Sequence, residues 1–134
     1  MNCFLYVNTE KISETHMAAI NEYTKRLSTY CSVKVTAKNK VELPKDINKP
    51  DHRLLIIKKG TSTHSSTDLA DYINHIQISG ISTLHVAIGI YDFSSNPDIL
   101  SISAFDMSAE TSALLFMEQL YRGYTIITGK TYHK

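Results

Sequence analysis

Residues 60–121 contain neither lysine nor arginine. A polyanion is held by cations that displace its counterions, so this segment cannot be where one is gripped. Cysteine is scarce, and Cys3 and Cys31 have neither CxxC spacing nor a histidine at ligand distance in sequence, so they are expected to be plain buried thiols. The five glycines are scattered and no Gly-x-x-x-x-Gly-Lys pattern occurs, which excludes a phosphate loop. No apolar run is long enough to span a bilayer. The opening run from Met1 to Val7 breaks at Asn8 and Thr9 and does not form a charged-then-apolar leader. A cytoplasmic protein without membrane contact is therefore expected. Repeats and low-complexity tracts are also missing, and a formal net charge of +1 exerts no global pull on nucleic acid.

The charge that is present is unevenly placed. Residues 34–59 carry eight cations (Lys34, Lys38, Lys40, Lys45, Lys49, Arg53, Lys58 and Lys59) against three acids, giving +5, whereas residues 60–121 carry seven acids, giving −7. Positive charge returns with Arg122, Lys130 and Lys134. An RNA would have to meet the first segment, through residues such as Lys38 and Lys40, and the tail; the alternative is a solvated lysine-rich loop.

With 134 residues, 43% of them hydrophobic, the chain (1–134) reads as one domain. Residues 3–8 form a nearly continuous apolar run suited to a strand buried on both faces. Ser13 then caps a helix carrying Met17, Ile20, Tyr23 or Thr24, Leu27 and Tyr30. Residues 32–37 alternate as an edge strand does, and residues 38–52, with Pro44 and Pro50, lose periodicity and read as loop. Residues 53–58 predict a central strand, 60–66 a segment that caps a helix of Leu69, Tyr72, Ile73 and Ile76, and Gly80 its end. Residues 83–89 predict a buried strand, 90–98 a loop and 100–105 a last strand. Alternation of strands and helices argues for an α/β fold, a mostly parallel sheet with helices on both faces. Such sheets bind ligands beyond the carboxyl ends of their strands, so the loops after Ile57, Gly89 and Phe105 are the default site.

The closing stretch is the most informative. Ser108 is an N-cap, Glu110 sits in the first turn, and Leu114, Met117, Tyr121 and Tyr124 recur with helical spacing. Apolar residues Leu114, Leu115, Phe116, Met117, Leu120 and Tyr121 cover more than one side of this helix, which predicts a sheet on one side and a second copy of the chain on the other. The run Glu118-Gln119-Leu120-Tyr121-Arg122, the pair Gly129-Lys130 and the terminal Tyr132-His133-Lys134 resemble the end of the SPOUT-class methyltransferases that methylate N3 of a pseudouridine in large-subunit ribosomal RNA. The likeness extends more weakly over the whole chain in the same order of elements.

That resemblance implies a C-terminal trefoil knot whose crossing loops hold S-adenosylmethionine, a homodimer in which the tail of one subunit completes the site of the other, and ribosomal RNA or the assembled ribosome as partner. Carried over residue by residue, the cofactor positions are Ile57, Gly89, Ile90, Ser103, Ala104, Phe105, Asp106 and Met107. His133 is implied as the base that takes the N3 proton, its ordinary pKa near ~6.5 suiting neutral pH. Tyr132 would stack on the extruded base, and Arg122, Lys130 and Lys134 would hold phosphates. Read without the family, Tyr132 packs a helix end, His133 is a solvated tail residue and Arg122 complements the helix dipole.

This chain departs from the family pattern in three places. The loop that starts at Gly89 continues Ile90-Tyr91-Asp92-Phe93 where the family has further glycines, and Ala109 and Ala113 stand where it has polar side chains. The region 38–52 is shorter than in the family. A relative that keeps the dimer and binds RNA or ribosomes without methylating them is therefore the second reading, and a flavodoxin-like nucleotide-binding domain the third. His85 reads as a hydrogen-bonded core side chain, and His16, His52, His64 and His75 have no spacing that builds a metal site, so no metal is expected.

Overall fold

The computed structural model describes residues 1–90 and 96–131. Five strands, β1 (Asn2–Val7), β2 (Ser32–Ala37), β3 (His52–Ile57), β4 (Thr83–Ile88) and β5 (Asp98–Leu100), form one sheet in the order β2-β1-β4-β3-β5. Every pairing is parallel. Between them lie the helices α1 (Glu14–Leu27), α2 (Ser66–Ile78) and α3 (Ala109–Thr128). The expected elements are all present, β2 at an edge as its alternation predicted.

Local chemistry sets the helix ends. The Ser13 side chain accepts from the His16 amide at 3.3 Å. Ser65 and Asp68 form a reciprocal capping box, and these hydrogen bonds hold the Asp68 carboxyl below its ordinary pKa. Ser108 accepts from the Thr111 amide at 3.2 Å, and Gly129 closes α3 at φ 71°, a left-handed turn that glycine adopts without steric cost.

Three α-helices crowd one face of the sheet. The side chains that alternate inward from β1 (Cys3, Leu5, Val7), β4 (Leu84, Val86, Ile88) and β3 (Leu55, Ile57) share one core with Ile20 and Leu27 of α1, Leu69, Ile73 and Ile76 of α2, and Phe116, Met117, Leu120 and Tyr124 of α3. Helix α3 lies between α1 and α2. A Cβ built on Gly123 would touch the Ala70 backbone at 3.6 Å, so α3 runs close against α2 at that point. Both cysteines are buried free thiols, as expected, and burial raises the Cys3 pKa above the ordinary range.

The opposite face is covered unequally. Instead of pure loop, the 38–51 connection holds a short 3-10 helix, Lys45–Asn48, whose Ile47, together with Leu43, packs on Leu54, Ile56 and Ala87. The expectation of helical cover on both faces is thus met by α-helices on one side and this single turn on the other. On the part nearer β1, rings make the cover. His85, 2% exposed, stacks with Phe4, Tyr6 and His52 at centroid separations of 5.7, 5.8 and 5.1 Å. Its Nδ1 is 2.9 Å from the Tyr6 hydroxyl and its Nε2 2.8 Å from His52 Nδ1. Burial pushes the Tyr6 phenol up to about 12, which keeps it protonated. His85 is the hydrogen-bonded core side chain the sequence suggested, but its partner His52 was not foreseen.

The last strand differs from expectation. Strand β5 spans Asp98–Leu100 in place of residues 100–105, because its partner β3 ends at Ile57. Past that point the backbone groups of residues 101–103 bond to the loop after β3: Gly60 N donates to Ser103 O at 3.1 Å, His64 N to Ser101 O, and Ser101 N to His64 Nδ1 at 3.0 Å. A ladder is replaced by a clasp.

Two consequences can be measured. Phe116, fully buried at 0% exposure, should cost about 3–5 kcal/mol when changed to Ala, read as a lower urea midpoint with unchanged slope. His85 is held below its ordinary value of 6.5 first by burial and then by the neighbouring His52. The unfolded chain therefore takes up a proton that the folded chain refuses, and stability, complete above that value, is lost as pH falls through it. The melting temperature should drop between about pH 7.5 and 5.5, and His85→Phe should flatten that drop; equal slopes would mean other groups cause it.

Candidate functional site

The carboxyl ends of the parallel strands converge on a cleft. It is bounded by Ile57, Lys58 and Lys59 after β3, Ile88 and Gly89 after β4, the run Ile102–Met107 apart from Ala104, and Ala109 and Ser112 in the first turn of α3. Its open volume, counted together with the solvent at its mouth, is about 420 Å³. Its half-buried apolar members are Ile102 and Met107, Ile57 and Ile88 being core residues; Ser103 and Ser112 add hydroxyls, and at the mouth Lys59 Nζ meets Asp106 Oδ2 at 3.0 Å.

Backbone geometry explains why glycine stands at the centre. Gly89 has φ +77°, and a Cβ there would come within 3.2 Å of Asn8 Cβ and 3.5 Å of Ala109 Cβ. The Asn8 side chain, from the loop after β1, donates to Gly89 O at 2.9 Å and accepts from Lys40 N at 2.9 Å. One amide thus joins the loops after β1, β2 and β4. On the far side Ser13 N donates to Glu110 Oε2 at 2.8 Å, so the starts of α1 and α3 are tied together.

A family model described as Predicted SPOUT methyltransferase matches residues 1–133. This chain belongs to the SPOUT methyltransferase family. Among similar proteins is one named Ribosomal RNA large subunit methyltransferase H 1 from a Thermoanaerobacter species, 35% identical with 100% of both chains covered. A Putative ribosomal RNA large subunit methyltransferase H from Methanococcus maripaludis is 30% identical over 96% of this chain and 97% of its own. The Flavobacterium psychrophilum protein named Ribosomal RNA large subunit methyltransferase H is 29% identical over 85% and 87%.

Within this SPOUT chain, six of the eight expected cofactor positions line the cleft: Ile57, Gly89, Ser103, Phe105, Asp106 and Met107. Ala104 is exposed beside it, and Ile90 packs with Leu54, Ile56 and Ala87 on the other face of the sheet. Ile90 was placed by analogy with a glycine, and its β-branched side chain is half-buried elsewhere. Lys38 and Lys40 are exposed at this same end of the sheet, Lys40 through the Asn8 bridge.

Arg122 and Lys130 are not brought to the cleft of their own chain. Thirteen residues of α3 separate Ala109 from Arg122, about 20 Å at 1.5 Å per residue. Arg122 pairs with Glu118 at 2.6 Å, and Lys130 Nζ lies 5.3 Å from the Tyr30 ring at the opposite end of the sheet. Tyr132, His133 and Lys134 lie outside the described residues.

Sequence reasoning missed Lys58, Lys59, Ile102, Ser112 and the bridging Asn8. Asn8 was visible only as the residue that breaks an apolar strand, which is where a polar loop anchor would stand. Among the described residues, no group of three or more His, Cys, Asp and Glu could hold a metal ion, and no helix is long and apolar enough to cross a membrane.

Asn8→Ala removes both bridging hydrogen bonds and leaves Gly89 O without its partner. A loss of about 1–3 kcal/mol in unfolding free energy by urea titration is the expected result. An unchanged midpoint would show that the loops hold together without it.

Proposed function

We propose that this chain is an S-adenosylmethionine-dependent methyltransferase that acts on large-subunit ribosomal RNA, at N3 of a pseudouridine, as a cytoplasmic homodimer. The observation that carries the reading is the cleft: six residues expected from the resemblance converge around a left-handed glycine at the carboxyl ends of a parallel sheet, in a chain of a methyltransferase family. The names of the similar proteins supply the substrate class.

The residues present fit the cofactor. The half-buried Ile102 and Met107 offer apolar surface for an adenosine, and the opposed charges of Asp106 and Lys59 suit the ammonium and carboxylate of an amino acid. When bound, S-adenosylmethionine supplies a methyl group activated by a cationic sulfur. The protein's own task is alignment: holding donor and acceptor in contact can lower a barrier by up to about 7–11 kcal/mol. A base must also remove the N3 proton, a contribution of about 10²–10⁴-fold, and the His133 imidazole is assigned that proton. The path from the edge strand β5 through the clasp to the centre of the helical layer also fits a knotted connection.

Reach is what supports the two-chain reading. Helix α3 starts at the cleft and is 20 residues long, about 30 Å. His133 follows Gly129 by four residues, at most about 14 Å of extended chain. That length of chain is shorter than the helix it would have to retrace, which supports a site shared between two copies. The outward stripe of α3, Leu115, Glu118, Arg122 and Ile126, with Ile126 44% exposed, is the surface proposed for that contact.

Subunit complementation tests donor site, base and dimer together. Ser112→Trp, filling the cleft, and His133→Ala should each abolish or slow methyl transfer to ribosomes, measured with radiolabelled S-adenosylmethionine. Mixed and reassociated, the two should recover about a quarter of wild-type activity, since half the dimers are mixed and each has one whole site. No recovery would refute the shared site, and no transfer by the wild type would refute the enzyme.

A further inference from the structure

Among the described residues four large hydrophobic side chains stand out in solvent, Ile78, Ile99, Phe105 and Ile126, and Phe105 is both the most exposed, at 81%, and the only aromatic one of the four. Its residue borders the cleft, whose half-buried apolar members are Ile102 and Met107. Loose chain does not account for its exposure. The Ser103 hydroxyl accepts from Phe105 N at 3.0 Å and donates to Phe105 O at 3.3 Å, Gly60 N holds Ser103 O at 3.1 Å, and the next residue, Asp106, is paired with Lys59. An anchored backbone therefore presents a bare ring at the mouth of the site. Lys58, exposed and without an ion-pair partner among the described residues, borders the same mouth from the loop after β3.

A flat ring beside a cation matches the two halves of a nucleotide, a base with a π face and a phosphate. We propose that Phe105 is a stacking platform for a base of the RNA strand, with Lys58 taking the adjoining phosphate. The inference rests on the RNA methyltransferase reading above and deepens it by naming where the strand lies as it enters the cleft. Phe105 was not expected to touch RNA from the sequence, whereas Lys58 belongs to the cation-rich segment 34–59 that an RNA was expected to meet. Stacking reads no base identity, so the platform would hold the strand in place without choosing its sequence.

Because Phe105 is so exposed, its replacement should leave folding intact. The test uses the full chain and two separate readouts, anisotropy of a labelled mixed-sequence single-stranded RNA and calorimetry with S-adenosylmethionine. In the cofactor-free protein Phe105→Ala should weaken RNA binding by about tenfold or more, and Phe105→Tyr should bind as the wild type does. Lys58→Gln should weaken RNA binding and reduce its salt dependence. Unchanged RNA binding in Phe105→Ala refutes the platform alone, whereas a wild type that binds no S-adenosylmethionine refutes the methyltransferase reading itself.

Discussion

Everything in this domain depends on the burial of α3 at the middle of the sheet. Phe116, Met117 and Leu120 are fully enclosed, and they fill the space that α1 and α2 leave between them over β1 and β4. The chain reaches that position from β5, at the edge of the sheet, so residues 101–108 must travel back across the carboxyl ends of the strands. That return path is what forms one wall of the cleft. Core packing and site construction are in this sense one event: the same turn of α3 that enters the core brings Ala109 and Ser112 to the cleft.

Much of this was legible in the sequence because local signals and tertiary structure agree. Ser13, Ser65 and Ser108 each cap the helix they announce, and the apolar runs of β3 and β4 lie inside the sheet where such runs belong. The sidedness of the helices was not legible. In β1, Phe4 and Tyr6 are as apolar as Cys3, Leu5 and Val7, so periodicity could not tell a face covered by α-helices from one covered by stacked rings. Nor could it end β5 correctly, since Ile102 continues the apolar alternation and only the clasp of Gly60 and His64 stops the ladder.

For the site, Gly89, Ser103, Phe105, Asp106 and Met107, taken from the resemblance, are found along the cleft, whereas Ala104 is exposed beside it and Ile90 is half-buried against Leu54, Ile56 and Ala87 on the other face of the sheet. Asn8 and Lys59 were invisible because single polar residues in loops carry no periodic signal. The tail entered by resemblance alone, and its Tyr132, His133 and Lys134 lie outside the described residues.

The clasp between the loop after β3 and residues 101–103 has a bearing on how the chain matures. Gly60 lies so near Ser101 that a methyl group there would fall 2.6 Å from its hydroxyl oxygen, leaving no slack for a passing segment. Any fragment that stops before Ala109 leaves Leu5, Leu69 and Val86 without their cover. Native contacts are mostly distant in sequence, which slows folding. A product that stops before Ala109 therefore keeps this apolar surface bare, and only the arrival of α3 closes it.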